Sequence, residues 1–249
     1  MTISIFDTIS TKTKQGKKQL AVLIDPDKCS AKHLETLFAK QHFIDFFLVG
    51  GSLITRGDFS KTISLLKEFT QKPVIIFPGN NLQIAEEADA ILFLSLISGR
   101  NAELLIGQHV AAAPHIQKIN LETIPTGYML IESGQLTTAI YLSASLPIPR
   151  NKKDVACATA LAGEYLGLKL IYMDAGSGAN NTVPADMISA VKKTISIPLF
   201  VGGGIRTAEC AFTIYNAGAD VIVIGNKAER HVDFLDEMAA VKEQIKSGF

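Results

Sequence analysis

The stretch LIYMDAGSGANN, Leu170 to Asn181, decides how the fold is read. Four mostly apolar residues run into one carboxylate, Asp174, and a small-residue turn, AGSGANN, follows at once. The run does not alternate with polar residues, so it reads as a strand covered on both faces. Packing gives no reason for an acid at the exit of such a strand, beside a loop of glycines.

The same pattern recurs along the chain. LAVLID (20–25), IDFFLVG (44–50), PVIIF (73–77), AILFLS (90–95), GYMLIE (127–132), LKLIYMD (168–174), PLFVGG (198–203) and DVIVIG (220–225) are short, apolar and unalternating. Most intervals carry amphipathic helical periodicity, as in AKHLETLFAKQ, AECAFTIYNAGA and FLDEMAAVKEQIKS. The stretch 80–89 after the third strand is short, so one helix is open to replacement by a loop. Eight strands alternating with helices predict the α/β class and a single (β/α)8 TIM barrel over residues 1–249. An open doubly wound sheet is the alternative, but it would carry a Gly-rich turn after its first strand. Here that strand ends in Asp25-Pro26-Asp27-Lys28.

Composition narrows the function. Hydrophobic residues make up 47% of the chain, and the mean hydropathy is +0.25. Strands buried on both faces explain part of this, and a greasy binding cavity would explain more. Lys+Arg and Asp+Glu number 24 each, so no global field draws the chain to nucleic acid or to an anionic membrane. Cys29, Cys157 and Cys210 are scattered without CxxC spacing, which suggests a reducing compartment. The N-terminal segment has no apolar signal core, and no apolar run is long enough to cross a bilayer. The expectation is a soluble cytoplasmic globule.

In a TIM barrel, chemistry belongs at the C-terminal ends of the strands. Read in order, those ends are Asp25-Pro26-Asp27-Lys28, Gly50-Gly51-Ser52, Pro78-Gly79-Asn80, Ser95, Glu132, Asp174 with its glycine loop, Gly202-Gly203-Gly204, and Gly225-Asn226. The opposite ends are expected to show no such set. FVGGGIR (200–206) and VIGN (223–226) each precede a helix, where backbone N–H groups and the helix dipole suit a phosphate. Tight βα turns are the plain alternative, and Arg206 would hold either that loop or the anion. Asp25 at the end of the first strand would suit Mg²⁺, which takes one or two carboxylates plus substrate phosphates. Asp27 fits helix capping better. Ser52 would reach the same cation or simply make a turn. The five histidines share no metal-ligand spacing and are expected away from the rim, so no zinc site is expected. The chain has neither GxSxG nor GxxxxGK[ST], which argues against a serine hydrolase and a P-loop enzyme.

Taken together, LIDPDK, FLVGGS, PVIIFPGN, SGRNAELLIGQHV, PIPRNKKDVA through YMDAGSGA, FVGGGIRT and DVIVIGN resemble the geranylgeranylglyceryl phosphate synthases. These prenyltransferases are related to the heptaprenylglyceryl phosphate synthases. The motifs run in order from about residue 20 to 230, and SGRN…LIGQHV is more similar to the geranylgeranyl-type group that includes bacterial members. The resemblance implies that the C3 hydroxyl of sn-glycerol 1-phosphate attacks C1 of geranylgeranyl diphosphate, diphosphate leaves, and an ether lipid precursor forms. It implies Mg²⁺ on Asp25 and Ser52. It places glycerol phosphate along Tyr172, Met173, Asp174, Ala175, Gly176, Ser177 and Gly178, with Gly203, Gly204, Gly225 and Asn226 completing the cradle. Tyr128 on the fifth strand is implied near the reacting centre, steadying positive charge, or else packs in the barrel. Where many members of the family have YxEAGSG, this chain has YMDAGSG, so the implied base is one methylene shorter. Asp174 then touches the hydroxyl directly, acts through a water, or mainly holds it. Assembly as a dimer or hexamer is implied as well. The competing readings are the same reaction with another prenyl length, a phosphate-binding barrel isomerase or lyase, and a non-catalytic prenyl-lipid binder.

Overall fold

The computed structural model describes residues 4–225 and 233–246. Eight parallel strands close into one barrel in sequence order, β1 pairing with both β2 and β8. They are β1 (Gln19–Ile24), β2 (Phe46–Val49), β3 (Val74–Ile76), β4 (Ala90–Leu96), β5 (Glu122–Leu130), β6 (Leu170–Asp174), β7 (Leu199–Gly202) and β8 (Val221–Ile224). Each overlaps the run expected from sequence, although the fifth begins at Glu122 rather than Gly127.

The absence of alternation has a simple cause. Along each strand one set of side chains faces the barrel interior and the other faces the helices. Ala21, Phe46, Leu48, Ile75, Leu92, Tyr172, Phe200 and Val223 fill the interior. Val22, Phe47, Val49, Ile76, Met173, Val201 and Ile222 pack outward with the helical layer. Both faces are therefore dry. The described helices are α1 (Ile5–Lys14), α2 (Ala31–Ala39), α3 (Phe59–Phe69), α4 (Gln108–Lys118), α5 (Thr138–Ser143), α6 (Lys153–Tyr165), α7 (Ala185–Thr194), α8 (Ala208–Asn216) and α9 (Phe234–Lys246). Between β3 and β4 the chain makes turns instead of a helix. The Gln83 amide holds this loop, donating to the Gly51 carbonyl at 3.0 Å and accepting from the Gly79 amide at 2.9 Å.

Helix α1 was not legible as a helix. The Ser4 hydroxyl caps it by accepting from the Asp7 amide at 3.0 Å. Glu122, at the entry of β5, accepts from the Ile5 and Phe6 amides at 2.8 and 2.9 Å. These are first-turn donors with no partner inside their own helix. Ile9 is buried among the interior side chains, so α1 closes the N-terminal end of the barrel.

This end was expected to show no set comparable to the rim, yet it carries a set of carboxylates of its own. Asp45 precedes β2, Asp89 precedes β4 and Asp220 precedes β8. Each accepts from an amide at the start of the preceding strand: Leu20 at 2.9 Å, Val74 at 2.7 Å and Leu199 at 2.8 Å, respectively. Each also meets lysine: Asp45 meets Lys12 and Lys242, both at 2.7 Å, Asp89 meets Lys67 at 2.7 Å, and Asp220 meets Lys192 at 2.6 Å. The device repeats because strand-entry amides need acceptors and a carboxylate one strand over supplies one. In sequence these acids were hidden inside or just ahead of apolar runs. Their cations lie up to 197 residues away.

Candidate active site

At the opposite, C-terminal end the strands open into a cavity of about 1050 Å³. That is the upper end of the usual range for small-molecule pockets, roughly 300–1,000 Å³. Asp25, Ser52, Tyr128, Tyr172, Asp174, Gly176 to Gly178, Gly203, Gly204 and Gly225 all line it. Strand-end position thus gathers residues up to 200 apart. Met173 and Ala175 do not join them. Strand alternation turns the Met173 side chain into the outer layer, and the Ala175 amide is bonded to the Gly202 carbonyl at 3.1 Å. Asn226 lies outside the described residues.

Asp174 is the centre of this rim. It is 7% exposed. Its Oδ2 accepts from the Tyr128 hydroxyl at 2.5 Å, and its Oδ1 accepts from the Gly176 amide at 2.7 Å. Burial pushes the carboxyl above its ordinary range, against these two hydrogen bonds. Burial first, and then the charge of Asp174, pushes the Tyr128 phenol well up. Phe77, Tyr172 and Tyr128 form an aromatic wall beneath, with Phe77 stacked on Tyr172 at 5.2 Å and Tyr128 edge-on to Tyr172 at 5.5 Å. Gly203 is required here. Its φ is +86°, and a Cβ would stand 2.8 Å from Asp174 Oδ1 and 2.6 Å from the Gly176 nitrogen.

The glycine loop after β6 is braced from outside. Gln135 donates to the Gly178 carbonyl, and the Arg206 guanidinium donates to the Ala179 carbonyl. Arg206 therefore holds the loop. Arg150 donates to the carbonyls of Glu132 and Thr182 at 3.0 and 2.6 Å, tying the exit of β5 to the segment after that loop. Sequence reading missed Gln135 and Arg150, because their partners are backbone atoms that no motif marks.

Across the mouth, Asp25 and Ser52 stand at the ends of adjacent strands. A Cβ on Gly51, next to Ser52, would lie 3.4 Å from Asp25 Oδ1. These are hard oxygen donors, and they fit Mg²⁺ completed by substrate phosphate oxygens. Among the described residues no group of three or more His, Cys, Asp and Glu forms a full metal cage. Lys28 Nζ meets Asp25 Oδ2 at 2.5 Å, so positive charge already gathers at this point. Asp27 does not cap a helix. Its carboxylate takes the amides of Thr55, Arg56 and Gly57 at 2.9, 2.8 and 2.6 Å and so clamps the loop after β2. The Arg56, Gly57 and Thr55 amides hold that carboxyl far below its usual range.

An apolar arm of the lining lies on one side of the barrel. Ile91 and Phe93 on the outer face of β4, Ala112 and Ile116 on α4, and Leu142 on α5 extend the cavity outward between strand and helices. One turn of wider, π-type helix, Glu103–Gly107, precedes α4. His109 lines the same cavity, which corrects the expectation that every histidine lies away from the rim. Its Nε2 is 3.3 Å from Ser95 Oγ, and burial lowers its pKa against the opposing Leu94 carbonyl.

A closed eight-stranded barrel with a carboxylate, a tyrosine and a glycine cradle at its C-terminal rim defines a (β/α)8-barrel enzyme. The chain belongs to the PcrB family, whose profile matches residues 13–244. It is 52% identical over 232 residues to the geranylgeranylglyceryl phosphate synthase of Spirosoma linguale, covering 92% of this chain and 93% of that one. It is 43% identical over 239 residues to the enzyme of the same name from Pyrococcus furiosus, covering 94% of each. The crystal structure of (S)-3-O-geranylgeranylglyceryl phosphate synthase from Thermoplasma acidophilum, in complex with sn-glycerol-1-phosphate, superimposes with a TM-score of 0.89 at 35% identity, covering 98% of this chain and 99% of that one.

Proposed function

We propose that this chain is a prenyltransferase joining the C3 hydroxyl of sn-glycerol 1-phosphate to C1 of geranylgeranyl diphosphate, with release of diphosphate. One observation carries the reading. A single cavity joins a glycine-lined polar pocket at β6–β8 to an apolar arm at β4 and α4, and Asp174 lies at the polar end beside the aromatic wall. A small phosphorylated polyol suits the first part and a long hydrocarbon the second. The relatives named above bear the same activity in their names, and the T. acidophilum structure holds sn-glycerol-1-phosphate.

In this reading the loops after β6, β7 and β8 grip the glycerol phosphate. Asp174 is the proton acceptor, and its raised pKa brings its basicity nearer to what the hydroxyl needs. The aromatic faces of Tyr128, Phe77 and Tyr172 steady positive charge developing at C1. Asp25 and Ser52 would hold Mg²⁺, which supplies neutralisation of the departing diphosphate. No helix among the described residues is long and apolar enough to cross a membrane. Assembly as a homo-oligomer, dimer or hexamer, is part of this reading.

The test is direct. The protein is incubated with sn-glycerol 1-phosphate and prenyl diphosphates from C10 to C35, and the products are weighed by mass spectrometry. The C20 ether is expected to dominate, and no ether product from any chain overturns the reading. Asp25→Asn is expected to lower turnover about a hundredfold, with little rescue by excess Mg²⁺. Full activity of that variant in chelator removes the metal assignment.

A further inference from the structure

We infer that Asp174 does not take the substrate proton itself but receives it through the Tyr128 hydroxyl, which is the atom that touches the glycerol C3 hydroxyl. The inference rests on the reaction proposed above and assigns its proton path.

Each oxygen of Asp174 already accepts one hydrogen bond, and the residue, 7% exposed, offers the cavity little room for another. Oδ1 accepts from the Gly176 amide at 2.7 Å, within the turn that Gly203 crowds from the other side. Oδ2 accepts from the Tyr128 hydroxyl at 2.5 Å, the short length of a charge-assisted O–H···O⁻ bond. The carboxylate is 7% exposed, whereas Tyr128 is partly open and lines the cavity. A phenol oxygen that donates its single proton to Oδ2 keeps its lone pairs for an incoming donor. The glycerol hydroxyl is such a donor. Phe77 and Tyr172 hold the Tyr128 ring edge-on at 5.7 and 5.5 Å, so the hydroxyl is aimed by packing. The side chain of Asp174 is short, and the tyrosine supplies the reach.

The step balances as follows. The C3 oxygen forms its bond to prenyl C1 while the C1–O bond to diphosphate breaks and its electron pair leaves with diphosphate. The C3–OH proton passes to Tyr128 Oη as the Oη–H proton passes to Asp174 Oδ2. Tyr128 ends as it began, and Asp174 ends neutral, returning its proton to water after the product leaves.

A double-mutant cycle in single turnover tests this. Wild-type turnover is established first, and its absence overturns the proposed reaction and the proton path with it. Tyr128→Phe is expected to slow product formation about a hundredfold with the KM for glycerol 1-phosphate little changed. In an Asp174→Glu background, where the longer carboxylate reaches the hydroxyl directly, the same change is expected to cost less than about tenfold. Rate measurements in H₂O/D₂O mixtures add a readout that packing does not move. They are expected to bow for the wild type, with two protons in flight, and to run straight for the Asp174→Glu, Tyr128→Phe double variant. Equal losses in both backgrounds, or Tyr128→Phe within threefold of the wild type, overturn the relay while leaving the reaction standing. Unfolding midpoints of the variants near that of the wild type separate these losses from misfolding.

Discussion

Asp45 and Asp174 sit at opposite ends of the same barrel, and burial pushes both carboxyls in the same direction, up. They end on opposite sides of the ordinary range. At the entry end, Lys242 and Lys12 grip Asp45 and the Leu20 amide adds a third bond, so its pKa is lowered. At the exit end, Asp174 receives a phenol and one amide, and burial prevails. The difference teaches what each rim is for. A sheltered charge with matched cations stabilises the fold, whereas a buried charge with none is costly to the fold and useful as a base. The same division runs through the neighbours. Asp89 and Asp220 at the entry end are lysine-paired strand clamps, and the polar groups at the exit surround a cavity.

The largest expected effect falls on activity at the exit rim. Asp174→Ala should lower turnover about a thousandfold, while Asp174→Glu should keep most of it. Alanine as active as wild type, read by product formation, would erase the functional half of the contrast. Next comes stability at the entry rim. Asp45→Ala strands Lys242, whose side chain is 15% exposed, and leaves the Leu20 amide without its acceptor. A loss of about 3 kcal/mol is expected in denaturant unfolding, with turnover per folded molecule unchanged. A loss below about 0.5 kcal/mol would make the entry rim ornamental.

The smallest effect is in the pH profile, and the two acids should give opposite slopes. The folded pKa of Asp45 is lowered, so its stabilisation is present above the unfolded value and lost as pH falls through the folded one. Asp45→Asn should therefore flatten the acid side of the stability curve. The folded pKa of Asp174 is raised, so the native state favours its protonated form and loses stability as pH rises through the folded value. Its base form appears at the same pH, so the rising limb of turnover should lie above the ordinary aspartate pKa of about 3.9. A limb at or below that value, measured with saturating substrates, would place Asp174 in a solvated setting and sharpen the case for another base.

Much of the fold and half of the site were legible. LIYMD and its seven counterparts marked the strands because a barrel strand is dry on both faces, and that property is local to a few residues. Strand-end position then pointed to Asp25, Ser52, Asp174 and the glycines, which line one cavity with the exception of Gly202, whereas Ser95 and Glu132 from the same reading do not line it. The Met173 side chain lies off the cavity because a motif match carries residues in a row, whereas a strand sends alternate side chains to opposite faces. His109 was missed for the converse reason. It stands inside a helix, and only the packing of α4 against β4 brings it into the cavity wall.

By itself the sequence determined the barrel, the end of it that carries chemistry, and the acid at the centre. These follow from periodicity and from position along single strands. The tertiary structure alone decided which acids are paired. Lys12 and Lys242 converge on Asp45, Lys192 on Asp220, and Tyr128 on Asp174 from 46 residues away. Those contacts exist only once eight strands have closed in register. The physical reason is that the pKa of a carboxylate depends on what surrounds it in space, and a linear chain does not carry that information residue by residue.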